Sequence, residues 1–113
     1  METSKQIGQT YQLIKNALVD KLGKQGYVIV EEREDDRIYG SRFAIWSNNE
    51  DMLRFTWDGK EKVFLIETTN EMPISPMTSW TVLNITPYSI NALTHESIYT
   101  LADSVVHGID NPI

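Results

Sequence analysis

His95 and His107 are the only histidines of this 113-residue chain, and the surrounding pattern puts them at opposite ends of one short helix. At 1.5 Å per residue their backbones stand about 18 Å apart, too far to share a metal within one chain. His95-Glu96 begins like the H-E-x-x-H helix of zinc proteases, but the place of the second histidine holds Tyr99. Helix-end capping or plain exposure accounts for both. No serine sits in a Gly-x-Ser-x-Gly elbow, and the six glycines form neither a phosphate-cradling loop nor a dinucleotide fingerprint. The absence of cysteine removes disulfides, thiolate metal sites and cysteine nucleophiles. The expectation is therefore no catalytic residue, no metal and no cofactor, and a chain that leans away from being an enzyme.

The densest charge run is Glu31-Glu32-Arg33-Glu34-Asp35-Asp36. It lacks the alternation and the glycine of a calcium loop. We read it as a solvated hairpin turn whose charges discourage edge-to-edge sheet association, with recognition of a basic partner as the functional alternative. Residues 27–72 hold eleven acidic against six basic groups, and residues 73–113 hold Glu96, Asp103 and Asp110 with no Lys or Arg. Only the first 26 residues lean basic, within a net charge of −6. Nucleic acid needs a basic footprint to displace its counterions, so direct nucleic-acid binding is not expected.

Aromatic and methionine residues leave a different signal. Trp46, Trp57 and Trp80 lie on or at the ends of expected strands, where tryptophan usually fills a core or its margin. The stretch Met72-Pro73-Ile74-Ser75-Pro76-Met77 is a loop, and no Asp, Glu, Lys or Arg occurs from 72 to 95. Tryptophan and methionine are enriched in protein interfaces, and loops run over surfaces. Met72, Ile74, Met77 and Trp80 are accordingly the candidate partner-binding residues, most simply a homodimer face. Their competing role is to cover an end of the core.

These groups are positioned by elements that can be read from periodicity. Ile7, Tyr11, Ile14, Leu18 and Leu22 form one stripe of a helix over residues 4–23, widened by Leu13 and Val19, with Thr3 or Ser4 as cap and Gly23 or Gly26 as stop. From residue 27 the pattern becomes short β-branched and aromatic runs. Tyr27–Val30 opens a strand, 38–46 returns, 52–57 alternates with Leu53, Phe55 and Trp57 on one face and the other face wet, and about 62–69 follows. Asp58-Gly59 marks a hairpin. Loops of three or four residues starting at Asp58, pairing Phe55 with Val63 or with Phe64, suit it better than a two-residue turn that opposes Phe55 to Lys62. A fifth strand covers 80–86, with Leu83 and Ile85 on one face, and Pro87 ends it. A last helix runs from about His95 to His107, with Ile98, Leu101 and Val105 inward and Gly108 at its end.

The fold expected is α+β: a two-layer sandwich in which an antiparallel sheet of about five strands, a four-stranded meander plus one, carries the N-terminal and C-terminal helices on one face. One domain spans 1–113. Its core is expected from Ile7, Tyr11, Ile14, Leu18, Leu22, Val28, Val30, Phe43, Ile45, Leu53, Phe55, Leu65, Leu83, Ile85, Ile98, Leu101 and Val105. No apolar run is long enough to cross a bilayer and the N-terminus does not resemble a secretory signal, so a cytoplasmic protein with no membrane partner is expected. At this size and acidity, helices on an antiparallel sheet resemble small bacterial immunity proteins and secretion chaperones, which act by binding another protein. That resemblance is one of architecture, and architecture does not fix function. The function expected is a non-enzymatic protein-interaction module, binding a protein partner or itself. The alternative is a small-ligand binder or unrecognised enzyme, with a pocket of roughly 300 Å³ or more between sheet and helices, lined by a tryptophan and by Arg42 or Arg54.

Overall fold

Helix α1 (Glu2–Gly23) buries Tyr11, Ile14, Ala17, Leu18 and Leu22, one side of a 3.6-residue repeat. It starts at Glu2, ahead of both expected caps, Thr3 and Ser4. Leu13 and Val19, expected to widen the stripe, are exposed instead. The helix stops where Gly26 takes a φ of 85°. The Tyr27 amide donates to Leu22 O and the Gly26 amide to Gly23 O. That pair of bonds is a Schellman stop, sealed by contact-sized apolar residues at its two ends, the buried Leu22 and Tyr27.

The computed structural model describes residues 2–35, 41–71, 75, 77–87 and 95–110. Strands β1 (Val28–Asp35), β2 (Ser41–Ser47), β3 (Met52–Asp58), β4 (Val63–Thr69) and β5 (Thr81–Pro87) form one antiparallel sheet in chain order, and α2 (His95–Asp110) follows. No helix among the described residues is long and apolar enough to cross a membrane. Helix α2 runs through Gly108, so that glycine does not end it.

The side chains of Ala44, Trp46, Leu53, Phe55, Trp57, Phe64 and Ile66 share one sheet face and join α1 and the Ile98, Leu101, Ala102 and Val105 stripe of α2 in a single core. The two helices pack side by side, and Lys21 reaches Asp103 across them at 2.8 Å. Tyr11 stacks on Phe55 at 4.8 Å between ring centroids, and Phe55 and Trp57 each stack or tilt against Phe64. Arg42, on the same face, lies 5.7 Å from the Tyr11 ring, and a Cβ added at Gly8 of α1 would stand 3.3 Å from its guanidinium.

The β3–β4 register differs from both expected ones. Phe55 pairs with Ile66 and Trp57 with Phe64, because Asp58 remains in the strand and closes a loop of residues 59–62. Its Oδ1 accepts from the amides of Lys60 and Glu61, its carbonyl accepts from the Lys62 amide at 2.7 Å, and Lys62 takes the positive φ. The aspartate side chain, rather than the Asp-Gly pair as a two-residue turn, sets the register. Phe64 and Ile66 thus enter the core in place of Leu65, which is only half-buried.

The acidic run also moves. Glu31 to Asp35 belong to edge strand β1 rather than to a turn, and Asp36 lies outside the described residues. A bulge between Ile29 and Glu31 puts Glu32 opposite Ala44, toward the helices, where it pairs with Lys15 of α1. Val28 and Val30, expected in the core, are 63% and 53% exposed at this edge. Phe43 is half-buried, and the buried Ile45 lies on the face away from the helices, as the alternation from Ala44 and Trp46 requires.

Candidate interaction surface

The sheet face turned away from the helices carries Arg54 and Glu67 as direct register partners on β3 and β4. Arg54 donates from Nε and Nη2 to Glu67 Oε1 at 3.0 and 2.7 Å. Glu67 is only 8% exposed, so its charge is held by an arginine whose fork meets one oxygen twice. Trp80 closes the cluster, with the Arg54 guanidinium 4.2 Å from its ring centroid. Ile45, Met52 and Thr69 are also buried on this face, so the wet face expected for β3 is wet only in part.

Trp80 ends a loop that is tied at its base. The Glu71 amide donates to Thr69 Oγ1, and Glu71 Oε2 accepts from the Ser79 amide at 2.8 Å. Further out, the Ser75 amide donates to Thr78 Oγ1, the Thr78 amide to Ser75 O and the Met77 amide to Ser75 Oγ. This turn leaves Met77 89% exposed. Of the four residues expected to bind a partner, Met77 stands in solvent and Trp80 lies half-buried against Arg54. Met72 and Ile74 lie outside the described residues.

Ile85, which the sequence pattern assigned to the core, extends this surface together with Val82. In β5, Val82 pairs with Glu67 and Asn84 with Ile66, which makes Leu83 the extra residue of a bulge. Leu83 packs on the core, while Ile85 pairs with Leu65 on the open face and is 56% exposed. Strict alternation had placed Leu83 and Ile85 together. Val82, opposite Glu67, is exposed as well. The signal available in the sequence was the lack of charge, which continues from the loop through the whole of β5.

Trp46 and Trp57 are buried in the core, and Trp80 is on the opposite face. Among the described residues a cleft of about 190 Å³ opens beside α1, lined by Tyr11, Gln12, Lys15, Glu32, Arg33 and Phe43. That is below the roughly 300–1,000 Å³ typical of small-molecule sites, and Lys15 and Glu32 pair with each other there. No group of three metal-ligating side chains occurs among the described residues. No family model, curated protein or solved structure matches the chain.

Proposed function

We propose that this domain is a non-enzymatic interaction module, cytoplasmic as its lack of cysteine suits, that binds a protein partner or a second copy of itself through the surface around Met77, Trp80, Val82 and Ile85. The observation that supports it best is the combination of exposed apolar side chains and missing charge in a chain of net charge −6. Beyond Arg54 and Glu67, which already pair with each other beside Trp80, such a strip can be covered by another protein without desolvating an ionised group. The loop hydrogen bonds and the Trp80–Arg54 stack hold the strip in shape, which lowers the ordering cost of binding. Binding to a partner, once purified, is measured by calorimetry for the wild type and for Met77→Lys. A loss of at least tenfold is expected with the melting temperature unchanged. Equal affinity, or the lack of any stoichiometric partner including the chain itself, counts against the reading.

A further inference from the structure

We propose that β5 is the seam of a homodimer, in which two copies align their β5 strands antiparallel across a two-fold axis and join their sheets. This deepens the interaction reading and rests on it for the choice of surface. Among the described residues a meander in chain order leaves two edges, β1 and β5. Edge strands offer unpaired backbone groups, and charged side chains are a common guard against unwanted pairing. Strand β1 carries that guard: Glu31, Glu32, Arg33, Glu34 and Asp35 are five of its eight residues. Strand β5, Thr-Val-Leu-Asn-Ile-Thr-Pro, carries no charge in seven residues.

The symmetry selects the occupant. In an antiparallel pair across a two-fold axis a strand faces a copy of itself, so a charged strand meets an edge carrying the same set of charges. In an acidic chain the β5 edge escapes that repulsion and the β1 edge does not. The bulge at Leu83 and the missing amide hydrogen of Pro87 bound the usable segment. An axis at Ile85 keeps both away from the centre. It sets Asn84 beside the Thr86 of the second copy and joins the two exposed Ile85 side chains on the open face. Val82, exposed on the same face, extends each half of the apolar strip.

The test compares wild type, Ile85→Lys and, on the opposite edge, Val30→Lys by sedimentation over a wide concentration range. Thermal melts check folding, and Val82→Lys takes the place of Ile85→Lys should that variant not fold. Wild type and Val30→Lys are expected to dimerise alike, and the β5 lysine variant to weaken dimerisation at least tenfold while still folded. Hydrogen exchange on the wild type should slow at residues 84–86 as concentration rises. A dimer that survives the β5 lysine, or one whose β5 amides exchange as in the monomer, overturns the proposal. A wild type that stays monomeric overturns it too. If that monomer binds a different protein and Met77→Lys abolishes the binding, the interaction reading stands without the dimer, and if it binds nothing both fall.

Discussion

Replacing Arg54 by Met removes the cation that holds Glu67 on a face where that carboxylate is nearly buried. Stranding one member of a fully buried ion pair costs about 3–5 kcal/mol. The Arg54 side chain keeps 30% of its surface in water, so screening and solvent access bring the cost down to about 2 kcal/mol. Loss of the stack on Trp80 adds about 0.5 kcal/mol. For a domain of this length a total near 2.5 kcal/mol lowers the melting temperature by about 10 °C. The partner variant Glu67→Met and the double variant complete a cycle. Two methionines facing each other across β3 and β4 leave no orphaned charge, so the double variant is expected to be more stable than Arg54→Met alone, with a coupling energy of about 1–2 kcal/mol. Urea titration followed by circular dichroism reads all four proteins. An Arg54→Met loss below about 0.5 kcal/mol, or additive single effects within about 0.5 kcal/mol, would refute the claim that this pair is a coupled, largely desolvated unit.

Leu18→Ala, at a fully buried position in the middle of the α1 stripe, should cost about 2–5 kcal/mol in a urea titration, and less than about 1 kcal/mol would make α1 peripheral. Gly26→Ala should cost about 1 kcal/mol by forcing a Cβ into the left-handed φ that ends α1, where a space-filling argument alone predicts no effect because nothing lies within 4 Å. Neutral replacement of Glu34 and Asp35 together should shift the melting midpoint little, with no response to added calcium, since charges held in water contribute about 0–1 kcal/mol. A calcium-dependent rise present only in the wild type would reveal a cation site on β1.

The parts of the fold governed by local pattern were legible. The spacing of Ile14, Leu18 and Leu22, and of Ile98, Leu101 and Val105, identifies two helices and the faces they bury, and turn chemistry separates the strands. What escaped was set by single residues acting against the local pattern. Asp58 uses its carboxylate to hold the loop after it, and this slides the β3–β4 register so that Phe64 and Ile66 take the buried places expected of Leu65. Val28 and Val30 have the composition of buried strand, but β1 is an edge and its bulge breaks the alternation. In the candidate surface the charge-free stretch could be read directly, and Trp80 could be named as a candidate from it. The place of Ile85 could not be read, because the second bulge turns Leu83 inward and no alternation rule announces a bulge.

The two bulges and the one-sided charge have a joint consequence for how copies of this chain would pair. Pairing β1 of one copy with β5 of the next is heterologous, and repetition of that contact builds an open-ended filament. In β1 the uncharged half, Val28 to Val30, contains the bulge, and the regular half contains the charges, so neither half offers a smooth uncharged edge. Charges alone would not repel β5, which has none, but pairing would partly desolvate Glu31 and Arg33 with no partner supplied by the other strand. A β5–β5 contact desolvates no charge and keeps its own bulge at Leu83 off the axis, and it closes on itself after two copies. The distribution of charge between the edges therefore favours a finite assembly over a filament. Removing the β1 charges while keeping Ile85 should add larger species to the sedimentation profile beyond any dimer. An unchanged profile in that variant would show that the bulge alone protects β1.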